Sequence, residues 1–127
     1  MRRTLPPLIA TGATLLAAVV ITGPAHAAPR STLTASVQPA HGPVTTASLT
    51  CQPPGGSHPK AAAACATLAK AGGDPRRITP LDRMCTMEYA PVTASLTGRW
   101  KGRAIRYRAE FSNACTMHLA TRTVFQI

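Results

Sequence analysis

Apolar and polar side chains alternate along much of this chain, with the period of a half-buried β-strand. In the first such segment, Leu33, Ala35 and Val37 share one side, while threonine and serine occupy the other. The pattern predicts strands over residues 31–38, 45–51, 91–97 and 103–111, and the last residues, 121–127, are predicted as a fifth strand. In the fourth segment the predicted inner face carries Ile105, Tyr107, Ala109 and Phe111.

One long helix is predicted between the second and third strands. Ser57 is a suitable N-cap, Pro59 suits a first turn, and the alanines at 61–64 have the highest helix propensity. Helical spacing turns Cys65 inward, toward the strands. Gly72-Gly73 ends the helix.

The order of elements is therefore two strands, a helix, an irregular segment over 76–90, and three further strands. A short turn or helix around residues 115–119 precedes the last strand. This order predicts an α+β domain, with one antiparallel sheet and the helices gathered on one side of it.

The N-terminus has the pattern of a secretory signal peptide. Arg2 and Arg3 precede an apolar run over residues 8–21, and Ala25-His26-Ala27 is a small-x-small cleavage sequence. We expect a signal peptide over residues 1–27, with cleavage after Ala27 or Ala28, and a domain over 28–127. The processed protein is expected outside the cell, free of the membrane.

The chain is strongly basic, with 14 Lys and Arg against 4 Asp and Glu and a formal charge of +10. Removing Arg2 and Arg3 leaves 12 basic and 4 acidic residues, or +8. Basic residues concentrate in the predicted hairpin 99–108, which would attract anionic surfaces. Nucleic acid is not an expected partner, because aromatic residues for base stacking do not alternate with these basic residues.

All four cysteines follow the signal peptide, and an even number in a short exported chain predicts disulfides rather than metal ligands. Four cysteines allow three connectivities. Sequence order and the inward position on the helix favour Cys51 with Cys65 and Cys85 with Cys115, and the other pairings remain possible.

The segment from Met84 to Pro91 follows neither a helical nor a strand period. A disulfide at Cys85 would tie it to the domain while its neighbours stay exposed. Such a preorganised loop could lie extended in the cleft of another protein with little entropy left to lose.

Catalytic chemistry is not predicted. The four carboxylates form no motif, the histidines at 41, 58 and 118 lack metal-ligand spacing, and no nucleophile elbow is present. We therefore expect neither an enzyme nor a cofactor or metal.

Several motifs together resemble the Streptomyces subtilisin inhibitor family of secreted bacterial protease inhibitors. They keep their order over nearly the whole of residues 28–127. The motifs are Leu49-Thr50-Cys51, His58-Pro59, Ala63-Ala64-Cys65, Gly72-Gly73-Asp74, Met84-Cys85-x-Met87-x-Tyr89-x-Pro91, Gly98-x-Trp100-x-Gly102, Phe111-Ser112-Asn113-x-Cys115 and Val124-Phe125.

The resemblance implies a five-stranded antiparallel sheet with two helices and a homodimer formed through the sheet. It also implies the disulfides Cys51–Cys65 and Cys85–Cys115. A substrate-like inhibitory loop is implied as well, with Met87-Glu88 as its scissile bond. The protease-binding residues would be Met84, Cys85, Thr86, Met87, Glu88 and Tyr89.

Met87 is the expected specificity residue, because a flexible thioether fits the broad apolar pocket of subtilisin-like proteases. Two residues depart from the family pattern. Thr86 stands where proline is frequent and stiffens the loop less, and Glu88 places a charge where an apolar or small residue is usual. Both departures bear on potency and on the choice of protease.

Two functions from different classes follow. The preferred one is an inhibitor of extracellular subtilisin-like serine proteases. The alternative is a non-inhibitory cationic protein that binds envelope anions or acidic partners through the arginine-rich 99–108 hairpin.

Overall fold

Within the described residues, four strands, two helices and a short 3-10 turn make up the regular structure. The structure is a computed structural model that describes residues 4–21, 23 and 28–127. The strands are β1 (Ser31–Pro39), β2 (Thr45–Cys51), β3 (Val92–Trp100) and β4 (Arg103–Phe111). The helices are α1 (Ala61–Lys70) and α2 (Ala114–Thr121), and the 3-10 turn is Pro75–Arg77.

Residues 4–21 and 23 contain no regular secondary structure. In the ranges that the structure describes, no helix is long and apolar enough to cross a membrane. Arg2, Arg3 and the predicted cleavage sequence Ala25-His26-Ala27 lie outside the described residues.

The strands form one antiparallel sheet in the order β2-β1-β3-β4. β1 lies between its hairpin partner β2 and the later strand β3. The register places Leu33, Leu49, Leu96 and Tyr107 on one face, which is buried. The other face carries mainly threonine, serine and arginine, as the alternation predicted.

The prediction of a fifth strand is wrong, because residues 121–127 do not join the sheet. α2 continues to Thr121, and Arg122 then takes a positive φ of 55°. Turn-type hydrogen bonds follow, from Val124 N to Thr121 O at 3.2 Å and from Gln126 N to Thr123 O at 3.2 Å. These turns bury Val124 and Phe125 almost completely. The apolar side chains are thus covered without strand pairing.

Both helices contribute to the core on the buried face of the sheet. α1 supplies Leu68 and Cys65, and α2 supplies Met117. Phe125 stacks on Tyr107 of β4, with ring centroids 5.9 Å apart. Cys65 is bonded to Cys51 at the end of β2, with a Cα–Cα distance of 5.6 Å. The disulfide therefore attaches the helix to the sheet.

The structure differs from the predicted elements in two details, at Ser57 and at Phe111. Ser57 is not the N-cap of α1, because the helix begins at Ala61. Ser57 Oγ instead accepts from Ser48 N at 2.9 Å, and Ser57 N donates to Ser48 Oγ at 2.8 Å. On β4, Phe111 is only partly buried, because it lies at the end of the strand beside the exposed loop.

The β3–β4 turn is shorter than the interval 98–102 between the two predicted strands, because β3 continues through Gly98 to Trp100. Lys101 and Gly102 form the turn, both with positive φ, as a two-residue hairpin requires. Trp100 is buried against Gly73, where a Cβ would lie 2.2 Å from the indole Cγ. This contact fixes the end of α1 against the hairpin.

Candidate functional site

The segment between the 3-10 turn and β3 projects from the domain. Residues 78–91 have no regular secondary structure. Met84 and Met87 are each 98% exposed and Tyr89 is 77% exposed, although all three are large and apolar. Exposed apolar side chains in a row are characteristic of a binding surface.

The base of this exposed loop is closely attached to α2. Cys85 is bonded to Cys115 in the first turn of α2, with a Cα–Cα distance of 5.8 Å. Leu81 N donates to Leu119 O at 2.8 Å, and Ala90 N donates to Ser112 O at 2.8 Å. The loop is therefore held before and after its most exposed residues.

A buried amide lies directly beneath the exposed residues. Asn113 is 6% exposed, and its Nδ2 donates to the carbonyl oxygen of Thr86 at 3.2 Å and to that of Glu88 at 2.8 Å. These carbonyls flank Met87 in the chain. The two bonds hold the backbone on either side of Met87 while its side chain faces solvent.

Asn113 is itself held by the start of α2. Its Oδ1 accepts from Thr116 N at 2.8 Å, and Thr116 Oγ1 accepts from Asn113 N at 3.3 Å, which completes a capping box. One end of the amide thus caps the helix and the other supports the loop. Sequence reasoning identified Asn113 only as part of a motif. Its position two residues before the cysteine that anchors the loop was the available signal.

Concave surfaces lie on both sides of the loop. One, of about 510 Å³, separates Glu88 and Tyr89 from Pro39 at the end of β1 and from His41 in the β1–β2 turn. The other, of about 450 Å³, lies between Arg83 and Met87 on the loop and the start of α2. The loop is thus a ridge, which can enter the cleft of a partner but does not enclose a small molecule.

The structure brings together Met84, Cys85, Thr86, Met87, Glu88 and Tyr89 on this ridge. His58 lies in the core, away from this ridge. Buried His58 accepts from Lys60 N through Nδ1 at 3.0 Å, so its Nε2 carries the proton donated to Val124 O at 2.9 Å. In the part of the chain that the structure describes, no three His, Cys, Asp or Glu side chains could hold a metal ion.

Tyr107, whose pKa is shifted by its surroundings, lies away from the loop. Burial raises the pKa of Tyr107 above its ordinary value of 10.0, an effect that Arg76 opposes and Asp74 reinforces. The Arg76 guanidinium lies 5.4 Å from the centre of the Tyr107 ring. This group belongs to the packing of β4 and not to the ridge.

Comparison with known proteins gives a family match over residues 27–113, to the model described as subtilisin inhibitor-like. A relative from Streptomyces avermitilis is 51% identical over 79 residues, which are 62% of this chain and 53% of that protein. "Subtilisin inhibitor-like protein 1" of Streptomyces cacaoi is 46% identical over 81 residues, 61% of this chain and 74% of that protein. The chain therefore spans only about half the length of the Streptomyces avermitilis relative.

A solved structure has the same fold. It contains sermetstatin of Streptomyces caespitosus in complex with subtilisin of Bacillus licheniformis. The TM-score is 0.61 at 26% identity, and the match covers 76% of this chain and 98% of that one. The family that the sequence motifs implied is thus confirmed.

Proposed function

Because the chain belongs to the subtilisin inhibitor-like family, we propose that it is a secreted inhibitor of subtilisin-like serine proteases. The observation that carries the proposal is the support beneath Met87. Its side chain is 98% exposed, while the Asn113 amide binds the carbonyls of the residues before and after it. A protease would meet this backbone already shaped for its cleft.

The proposed reactive bond is Met87-Glu88. Met87 would enter the apolar specificity pocket, Met84 would fill an upstream subsite, and Tyr89 would contact the enzyme beyond the bond. Main-chain pairing of Thr86 and Cys85 along the edge of the cleft would add affinity that does not depend on their side chains.

Inhibition would follow because the two ends of the cut bond stay close together. The protease serine attacks the Met87 carbonyl carbon, and the amine of Glu88 is the leaving group. The Cys85–Cys115 bond holds the chain before the reactive bond, and the bonds of Asn113 and Ala90 hold the chain after it. The amine therefore stays beside the acyl-enzyme and can re-form the peptide bond before water reacts. The protein itself has no proposed catalytic role.

The remaining parts of the proposal concern location and assembly. Residues 1–27 would direct export, and the domain would act outside the cell as a homodimer. On the outer sheet face, β1 and β2 present uncharged groups such as Thr34 and Ser48, whereas β3 and β4 carry arginines. Like charges repel, so two copies would meet through the β1–β2 half.

A titration of subtilisin with the secreted protein tests the proposal. We expect stoichiometric loss of activity that added salt does not reverse, and a slow cut that mass spectrometry places between Met87 and Glu88. Rapid digestion of the loop without inhibition would contradict the proposed function. Sedimentation at micromolar concentration tests the dimer separately, and a monomer mass would contradict it.

A further inference from the structure

Six exposed arginines gather around the end of the sheet where β3 turns into β4. Among the described residues, the one ion pair that involves these arginines joins Arg76 Nη1 to Asp74 Oδ1 at 3.3 Å. Glu110 lies two residues beyond the last of them and limits the surface at that end. The arginine surface consists of Arg76, Arg77, Arg99, Arg103, Arg106 and Arg108.

Several of these guanidinium groups are already oriented by the fold. Arg103 Nη2 donates to Gly72 O at 2.6 Å, and Arg99 Nη1 donates to Gly102 O at 3.0 Å. Arg76 lies over the Tyr107 ring, and its Nη2 donates to the Arg106 carbonyl at 3.2 Å. Each bond uses only part of the donor capacity of a guanidinium, which has five N–H groups. Oriented side chains lose less entropy when an anion binds.

Two concavities join across this surface. One, of about 440 Å³, is lined by four arginines, at positions 76, 77, 103 and 106, and by Asp74, whose carboxylate is paired with Arg76. The other, of about 720 Å³, is lined by four arginines, at positions 76, 99, 106 and 108, and also by Ser95 and Thr97. Because Arg76 and Arg106 line both, the concavities form one continuous track of cations with hydroxyl groups beside it.

We propose that the arginine surface binds a linear polyol-phosphodiester polymer, of the poly(glycerol phosphate) type. Guanidinium groups fit phosphate oxygens in pairs, and successive arginines would take successive phosphates. The hydroxyls of Ser95 and Thr97 would bind the polyol. This inference does not depend on the proposed inhibition. It gives the protein a second partner besides the protease.

A base-containing polymer fits this surface less well. Single-stranded nucleic acid is held largely by stacking on exposed aromatic rings. Trp100 is buried against Gly73, and Tyr107 is covered by Arg76. The exposed aromatic residue, Tyr89, belongs to the loop. The surface therefore offers charge and hydroxyl groups without a stacking platform.

The polymer and a protease could be bound at once. Arg103 and Phe111 are the two ends of β4, and eight residues of strand span about 26 Å. The loop is attached beside Phe111, whereas the arginine surface extends from the Arg103 end to Arg108, which lies three residues, or about 10 Å of strand, before Phe111. We therefore expect a polymer-bound molecule to keep its reactive loop accessible.

Calorimetric titration of the secreted protein with lipid-free poly(glycerol phosphate) tests the inference. The variant Arg106→Gln/Arg108→Gln removes two exposed side chains that form no hydrogen bond with other residues that the structure describes. We expect about tenfold weaker binding and a smaller dependence on salt. The control Lys60→Gln/Lys70→Gln removes the same charge at the two ends of α1, together with one exposed hydrogen bond from Lys60 Nζ to Gln126 Oε1. We expect it to change binding about twofold at most.

Equal losses of affinity for the polymer in the two double variants would mean that net charge alone attracts it. That result would overturn the proposed surface. The charge-preserving variant Arg106→Lys/Arg108→Lys should also bind less tightly than the unmodified protein, because lysine lacks the paired donors. Oligo(dT) with an equal number of phosphates should bind no tighter than poly(glycerol phosphate). Clearly tighter DNA binding would overturn the assignment to a base-free polymer.

Inhibition of subtilisin measured with saturating polymer distinguishes the two surfaces. An unchanged inhibition constant is expected, and competition between polymer and protease would contradict their independence. Polymer binding by a protein that fails to inhibit subtilisin would leave this inference standing while the proposed function fails.

Discussion

The side-chain amide of Asn113 donates to the carbonyl oxygen of Glu88 at 2.8 Å, from a position beneath the exposed loop. The same nitrogen reaches the Thr86 carbonyl at 3.2 Å, so one buried group holds both sides of Met87. Thr86 lacks the ring that fixes φ in proline. In this chain the stiffness of the loop depends on Asn113 and on the disulfide of Cys85.

Asn113→Asp should weaken inhibition while leaving the helix cap in place. The carboxylate can still accept from Thr116 N, but it cannot donate to the two loop carbonyls. Losing two hydrogen bonds worth about 1 kcal/mol each predicts inhibition roughly 30-fold weaker. Inhibition constants and the rate of loop cleavage by subtilisin would measure the effect.

Thr116→Val is the control for this variant. It removes the side-chain half of the capping box, which should lower the unfolding free energy by about 1 kcal/mol with little effect on inhibition. If Asn113→Asp and Thr116→Val weaken inhibition equally, Asn113 acts only through the stability of α2.

Met87→Lys should move inhibition toward proteases of tryptic preference, whose pocket ends in a buried carboxylate. Binding to subtilisin should weaken, because a charged group enters an apolar cleft less readily. Stability should change by less than about 0.5 kcal/mol, since the side chain is exposed. Titration of trypsin and subtilisin with the variant would measure the shift.

Met84→Lys gives the matched comparison, because Met84 is as exposed as Met87 and the change in charge is identical. It should not create inhibition of trypsin. Equal effects of both substitutions, or none from either, would mean that the reactive bond is not Met87-Glu88. Glu88→Val should matter less, and should favour enzymes whose clefts are acidic.

Phe125→Ala should lower the unfolding free energy by about 3–5 kcal/mol, since the ring is fully buried and stacks on Tyr107. Phe111→Ala should cost clearly less, because that ring is only partly buried. Denaturant melts of both variants provide the comparison. A larger loss of stability from Phe111→Ala than from Phe125→Ala would contradict the placement of Phe125 in the core and of Phe111 at its edge.

Tyr107 should make the fold less stable at alkaline pH. Its pKa is raised in the folded protein, chiefly by burial, so the folded state keeps the proton longer than the unfolded chain. The unfolding free energy should then fall as pH rises through the ordinary value of 10.0 toward the higher folded pKa. Tyr107→Phe should reduce this fall, and Tyr89→Phe, in the exposed loop, should not.

Denaturant melts between neutral pH and the alkaline range would measure both variants. If the unfolding free energy of Tyr107→Phe falls with pH as steeply as that of the unmodified protein, burial of Tyr107 is not the cause of the fall.

Local patterns predicted most of the sheet, because alternation over residues 31–38 or 103–111 depends only on neighbours in the chain. Whether residues 121–127 form a strand or a turn depends on residues that are distant in the chain. Val124 and Phe125 need burial, and either a strand or a turn against His58 supplies it. The sequence alone does not distinguish these outcomes.

The candidate site, too, was only partly predictable from the sequence. The irregular composition and Cys85 indicated an exposed loop, and the family resemblance supplied its reactive bond. The spacing of Asn113 from Cys115 places it near the loop, but its hydrogen bonds to the loop carbonyls could not be read from the sequence, because they require knowing that α2 begins beneath the loop. Helix capping explains an asparagine at that position equally well.

The strand order has a further consequence for a molecule whose loop has been cut. The piece before the cut would contain β1, β2 and α1, and the piece after it β3, β4 and α2. β1 and β3 pair over eight positions, from Thr32 with Arg99 to Pro39 with Val92. The nicked protein would therefore remain a folded two-chain complex with its new ends adjacent. In such a complex the Met87-Glu88 peptide bond can readily re-form. The protease would therefore bind much the same ligand whether the chain is cut or intact.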